Sequence, residues 1–309
     1  MSILVWTLVR APGWTGEDQA VATQRQAPPT VRSRRLAFEL RRLRDEAGLT
    51  RDQVSEQTGI NPATLYRHET ATARSRPQRR TMIALLNLYG ASEQQRADLL
   101  ALSRETDVQG WLRPYHAELP EHYTAYISFE VEARTVRNYE SLFIPGLLQT
   151  EDYARAVIRG NLPMASEKEV ATRVQARMER QALLAGTSPL QLWAIIDEAA
   201  LHREVGGPDV MRAQLHRLID AAREPHVTIQ LIPYTAGAHA GMQGSFIILD
   251  FPNPADPTII YIDSMAGDLF LEAEADIRRY SLLFDNLRAV ALSPDASTAL
   301  IATLIAHAQ

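Results

Sequence analysis

The chain has no cysteine, which excludes disulfide frameworks, thiolate zinc sites, iron–sulfur clusters and thiol nucleophiles. Lysine is almost as scarce: Lys168 stands alone beside 31 arginines, a bias that reads as codon usage of a GC-rich genome. No apolar run approaches the length of a membrane span. The one near the start, Ile3 to Val9, has no basic residues before it and no small-residue cleavage site after it. A cytoplasmic protein that neither crosses nor anchors to a bilayer is expected. Several motifs of catalysis are also missing. There is no HExxH, no Walker loop and no serine in a nucleophile elbow, and His216 and His226 lack metal-ligand spacing. No metal, no cofactor and no enzymatic activity are expected.

What is present is an ordinary globular composition over 309 residues, 46% hydrophobic and 22% charged, which favours two domains with real cores. The net charge of -5 is unevenly distributed: residues 31 to 104 carry +6, residues 105 to 309 carry -11, and residues 1 to 30 balance. A basic module on an acidic body suits a nucleic-acid binder, because phosphate contact rewards local positive charge whatever the global balance. We divide the chain into a poorly ordered extension (1–30), a helix-turn-helix domain (31–104), a linker around Trp111, Pro114 and Tyr115 (105–118), and a larger α+β domain (119–309).

In the basic module Leu36, Leu40 and Leu43 recur at helical spacing until Gly48. Thr50 with Gln53 forms a capping box for a short helix that ends before Gly59. Asn61 caps the next helix, with Pro62 at its first position, where the missing N–H costs nothing. Two further helices, around Met82 to Tyr89 and from Ser92 through Leu102, complete a five-helix unit. Val54, Ile60 and Leu65 are spaced to pack the second and third helices together across a tight turn at Gly59. Asn61, Pro62, Ala63, Tyr66 and Arg67 are left facing outward, where a recognition helix meets base edges. Arg67 suits guanine or a phosphate, Asn61 a cap or an adenine, and Ala63 a thymine methyl. Arg51 at a helix start and the basic loop with Arg74 and Arg76 suit backbone phosphates.

These residues carry a resemblance. The run Leu40-Arg41-Arg42-Leu43-Arg44, Gly48-Leu49-Thr50, Thr58-Gly59-Ile60-Asn61 and Leu65-Tyr66-Arg67-His68-Glu69 resembles the XRE-type helix-turn-helix of phage-repressor-like regulators. The resemblance implies an ion pair between Arg44 and Glu69. Arg51, Ser55 and Tyr66 depart from the family's commoner Gln, Ala and Ser. Farther on, Tyr139-Glu140-Ser141-Leu142-Phe143-Ile144-Pro145-Gly146-Leu147-Leu148-Gln149-Thr150-Glu151-Asp152-Tyr153-Ala154-Arg155, with Asp197-Glu198-Ala199-Ala200-Leu201, Gly206-Gly207-Pro208 and Gly237-Ala238-His239, is similar to the C-terminal domain of Scr-type, antitoxin-like actinobacterial regulators. That implies a transcription factor, often paired with a small acidic protein from a neighbouring gene.

For the second domain the patterns predict helices over about 120–140, 150–159, 166–185, 208–223 and 272–291 and from Pro294, with strands at 190–197, 227–233, 245–251 and 258–262. The glycines at 237, 241 and 244 are expected to form a long hairpin turn before the strand at Ser245. Asp197-Glu198 reads as the acidic first turn of a helix. Tyr234 and His239 are candidate ligand or partner contacts. The expected function is a homodimeric, sequence-specific regulator that reads a palindromic operator in double-stranded DNA and whose second domain binds a small partner protein. The alternative is a one-component regulator whose second domain binds a small-molecule effector.

Overall fold

The computed structural model describes residues 31–70, 77–103, 119–253, 256–264 and 267–307. The N-terminal extension, Arg74, Arg76 and the linker lie outside the described residues.

The N-terminal region is helical: Val31–Glu46 (α1), Arg51–Thr58 (α2), Pro62–Glu69 (α3), Arg79–Leu88 (α4) and Glu93–Ser103 (α5). Its boundaries follow from local chemistry. Thr50 accepts from the Gln53 N–H while the Gln53 side chain accepts from the Thr50 N–H, closing the capping box of α2. Gly59 then takes φ 72°, a left-handed conformation that turns the chain sharply into α3. Asn61 Oδ1 accepts from the Ala63 N–H, and Pro62 opens the helix. Leu40, Val54, Leu65 and Leu86, from four helices, meet in one buried cluster, each side chain contributing about 1.5–3 kcal/mol by leaving water.

The C-terminal domain is built on a mixed six-stranded sheet in the order β3-β2-β1-β4-β5-β6. Its elements run Glu121–Glu132 (α6), Thr135–Glu140 (β1), Glu151–Asn161 (α7), Glu167–Arg180 (α8), Gln191–Asp197 (β2), Ala199–His202 (α9), Pro208–Ala221 (α10), Val227–Ile232 (β3), Phe246–Asp250 (β4), Ile259–Ile262 (β5), Leu269–Leu271 (β6), Glu274–Val290 (α11) and Pro294–His307 (α12). β1, β2 and β3 are mutually parallel, so each connection between them needs a helical crossover. β4, β5 and β6 continue antiparallel from the other side of β1. One face of the sheet packs on α6, α7, α10 and α12, the other on Phe284 and Leu287 of α11. The outer edge of β3 is closed by Ser297, whose Oγ accepts from the Leu231 N–H, and by the Leu292 N–H, which donates to the Leu231 carbonyl.

Two sequence expectations need correction here. Residues 135–140 belong to a strand at the centre of the sheet, although helix was expected across 120–140. The alternation was disguised because both faces of β1 are covered, Tyr139 on the α11 side and Val136, Asn138 and Glu140 on the other, and that second face is polar in two places out of three. Nor do residues 237–244 turn a hairpin: β3 pairs with β2 and β4 with β1, so this loop crosses the carboxyl ends of β2 and β1. The short β6 gave no readable period. Among the described residues no single helix is long and apolar enough to cross a membrane; α11 and α12 pass such a test only as a pair bent by 65°, and both bury residues against the sheet.

Candidate nucleic-acid interface and a cavity in the second domain

Glu69, the last residue of α3, is buried to 5% exposure. Its carboxylate accepts from Arg44 Nε at 2.7 Å and Nη2 at 3.1 Å, and from Arg51 Nε at 2.8 Å. Arg44 also donates from Nη1 to the Leu49 carbonyl at 2.7 Å. One carboxylate thus ties α1, α2 and α3 together with charge-assisted bonds, which are shorter and stronger than neutral ones. Two arginines share one carboxylate, and Asp45, 2.7 Å from Arg44 Nη1, balances the second positive charge.

This clamp holds α3 with Leu65 inward and Asn61, Ala63, Tyr66 and Arg67 outward; Pro62 is partly covered. Tyr66 is 52% exposed and has the Arg51 guanidinium 5.2 Å from its ring centre. Arg67 bends back along its own helix, Nε to the Ala63 carbonyl at 3.2 Å and Nη2 to Thr64 Oγ1 at 3.0 Å, weak exposed bonds that a ligand can displace. Asn61 Oδ1 is occupied by the cap. Sequence reasoning missed that Arg51 belongs to the clamp, since a contact across 18 residues leaves no local trace. Beside Glu69, burial raises the Tyr89 phenol well above its usual range.

In the second domain Asp197, Glu198, Tyr234 and His239 meet at the crossing loop. His239 Nε2 lies 3.0 Å from Asp197 Oδ2, and Nδ1 accepts from the Gly241 N–H at 3.3 Å, so the ring carries its proton on Nε2. Asp197 Oδ1 accepts from the Ala199 N–H at 2.9 Å, at the start of α9. Glu198 accepts from the Tyr234 N–H at 2.7 Å, and the exposed Tyr234 ring stacks on His202, 5.3 Å away. The four side chains hold the loop. Gly241 packs so tightly that a Cβ there would sit 2.4 Å from the Tyr139 ring.

A cavity of about 340 Å³ opens at the carboxyl end of β1, within the size range of small-ligand sites. One wall is the stretch Phe143 to Gln149, part of the run flagged by sequence. Tyr153 OH accepts from the Ile144 N–H at 3.2 Å, Gln149 Nε2 donates to the Ile144 carbonyl at 2.7 Å, and the fully buried Gln214 donates to the Leu148 carbonyl at 2.8 Å. Behind this wall Glu130 (1% exposed) and Arg180 (4% exposed) form a buried ion pair, Nε to Oε2 2.6 Å. Tyr126 OH donates to Glu130, and Arg180 Nη1 donates to Tyr123 OH at 3.0 Å. Burial opposes the Arg180 charge, but Glu130 outweighs it and holds the guanidinium protonated. Gly146 is required at its position: a Cβ would come within 2.9 Å of Arg180 Nη2.

The other wall carries Asn138 and Glu140. Burial pushes the Glu140 carboxyl up to about 7, with hydrogen bonds from Ser245 and Asn138 working against the shift. Asn138 is 4% exposed and its Oδ1 has no partner. Glu130, Asn138 and Arg180 were not singled out from sequence, and Glu140 entered only as part of the run that begins at Tyr139. The available signal was an acid at 130 inside the apolar stretch Ile127 to Val131. Among the described residues no group of histidine and acidic side chains is arranged to hold a metal.

An aromatic line runs from the cavity toward α1. Tyr126 stacks on Tyr261 at 4.3 Å, Tyr261 meets Phe270 at 5.2 Å, and Phe270 meets Phe129 edge-on at 5.4 Å. The Arg34 guanidinium of α1 lies 4.9 Å over the Phe129 ring and pairs with Glu272.

Two α-helices with a left-handed glycine between them and an exposed second helix define a helix-turn-helix protein, and the helix-turn-helix domain family matches residues 35–99. The N-terminal unit is a DNA-binding domain of the regulator type. The family described as a domain of unknown function (DUF5753) matches residues 123–303, more than half of the chain. The chain belongs to that family. No curated protein and no solved structure matches it.

Proposed function

We propose that the protein is a sequence-specific transcriptional regulator that works in the cytoplasm, reading a palindromic operator as a homodimer through α3 and receiving a signal in its C-terminal domain. The observation that carries the DNA-reading half is the exposed face of Ala63, Tyr66 and Arg67 held by the Glu69 clamp, the placement through which recognition helices enter the major groove. Tyr66 and Arg67 read base edges; Arg51 contributes a phosphate contact while anchored to Glu69. The XRE-type and antitoxin-like assignments, with a small acidic protein as partner, rest on the resemblance of the sequence runs.

For the signal, a specific observation favours the effector over the partner protein. The cavity is preformed, whereas an acidic partner would meet a body carrying -11 and like charge opposes association. The aromatic line to Arg34 offers a packed route from the cavity to α1. We assign the domain no catalytic step, since Asp197, Glu198 and His239 are engaged with one another and with backbone groups.

The test is capture of sheared genomic DNA by the full-length protein at about 150 mM salt, against a folded Tyr66→Ala/Arg67→Ala variant. Enrichment of a few fragments sharing a palindrome, lost in the variant, is expected. Equal enrichment by both proteins would overturn the assignment to α3.

A further inference from the structure

The cavity of the second domain has a sharper chemistry than its size. Its floor is apolar, made by Val136, Leu192 and Ile247 of three adjacent strands. Its polar groups gather at one end. Val136, Asn138 and Glu140 lie on the same face of β1 because side chains alternate along a strand, so Glu140 and Asn138 stand together above the floor.

The polar lining leans toward acceptors once the Glu130–Arg180 pair is set aside. Arg180 and Glu130 neutralise each other. Arg177 is held by Gln149, its Nη1 donating at 2.9 Å, and interacts with Tyr123; among its nitrogens Nε is buried without a hydrogen-bond partner. Arg180 Nε, facing Glu130 Oε2, is likewise buried without a hydrogen bond; against these two donors stand Glu130 Oε2, the unpartnered Asn138 Oδ1, the Glu140 carboxyl and the exposed Asp263 carboxylate. A buried acceptor left unpaired is costly, on the order of 1–3 kcal/mol, and acceptors are satisfied by donors. An anionic ligand would face more carboxylates than free cations.

We propose that this cavity binds a small organic amine or amidine, its ring or hydrocarbon body on the Val136, Leu192 and Ile247 floor and its protonated nitrogen head held by Glu140 and Asn138 Oδ1. This names the ligand class for the effector reading above and rests on it only for the consequence in DNA binding. Binding itself belongs to the C-terminal domain. A cation on Glu140 keeps the carboxylate ionised, so affinity falls as pH drops and protons compete for the site. The groups that set this balance are Asp263 at the end of β5 and Arg177 on α8, with the Asn138 and Ser245 hydrogen bonds and the nearby Tyr153 phenol.

The experiment uses the full-length protein without DNA and two probes of matched shape and opposite charge, benzamidine and benzoate, followed by calorimetry and ligand-observed NMR. Benzamidine is expected to bind at about pH 7.5 and several-fold more weakly at about pH 6, with benzoate not binding. Glu140→Gln, nearly the same shape, is expected to weaken benzamidine about tenfold or more while keeping the wild-type circular dichroism. Benzoate binding as tightly as benzamidine in the wild type would overturn the proposal without any variant. So would benzamidine binding that Glu140→Gln leaves unchanged, or no benzamidine binding at millimolar concentration. None of these readouts involves DNA, so the genomic capture and this experiment fail independently.

Discussion

The protein buries two carboxylates against arginine, Glu69 in the N-terminal domain and Glu130 in the C-terminal one, and treats their surroundings in opposite ways. Around Glu69 the carboxylate takes hydrogen bonds from two arginines on two different helices, fixing the angle of α3. Around Glu130 the carboxylate and Arg180 face each other at 2.6 Å with Oε2 and Nε outside hydrogen-bond geometry, and the pair stands beside a cavity where Asn138 Oδ1 has no partner and burial raises the Glu140 carboxyl to about 7. Rigid polar closure suits a surface that must present side chains in a fixed geometry. Polar groups facing a cavity suit a site that waits for a partner.

The largest effect that sharpens this comparison comes from breaking either pair from one side. Glu69→Ala strands Arg44, and Arg180→Met strands Glu130; losing one partner of a buried ion pair costs about 3–5 kcal/mol. Urea denaturation of the full-length chain is expected to show that loss in the first variant with little change in the sheet's own transition, and the reverse in the second. A wild-type midpoint for Glu69→Ala would mean that helix packing alone sets α3.

Next in size is the DNA-reading face. Tyr66→Ala and Arg67→Ala are each expected to reduce discrimination between operator and random DNA by about 1–3 kcal/mol, with an unchanged melting temperature because both side chains are exposed. Arg51→Ala should do something different: it removes a bond to Glu69, so a lowered melting temperature accompanies a uniform loss of affinity. If Arg51→Ala left stability intact, its place in the clamp would be refuted.

Glu140 separates the two regions by pH. Its folded value, about 7, lies above the 4.5 of a free glutamate. Folding therefore favours the protonated form, and the stability this contributes at low pH is lost as pH rises from about 4.5 through about 7. Wild type and Glu140→Gln are expected to melt alike near pH 5 and to diverge near pH 8, the variant being more stable by about 1–3 kcal/mol. Parallel melting curves across that window would place the carboxyl in water rather than in the cavity.

How much of this was legible in advance follows from how far apart the interacting residues lie. The capping box at Thr50, the αL glycine at 59 and the Asn61-Pro62 start are written in adjacent residues, and the helices begin and end there. The strand at 135–140 escapes the pattern because one of its two covered faces adds Asn138 and Glu140, which line the cavity, to the core residue Val136. Patterning reports burial in an apolar interior, and fails where a polar site replaces it. The run from Pro145 to Tyr153 stood out as a motif, but only the structure reveals that it walls the cavity and hands Gly146 to Arg180. The Glu130–Arg180 pair spans 50 residues between α6 and α8 and has no local signature.

The smallest effect decides what Asn61 does. Its Oδ1 accepts from the Ala63 N–H at 2.8 Å, which commits the oxygen to the helix and leaves adenine, whose recognition needs both ends of the amide, without a full partner. Asn61→Ala is expected to lower stability by about 1 kcal/mol, the usual worth of an N-cap. Asn61→Ser, which caps comparably, should restore it. If the cap is the whole role, operator discrimination in Asn61→Ser equals the wild type. A serine variant that is fully stable yet has lost preference at one base pair would instead return Asn61 to the reading face beside Tyr66 and Arg67.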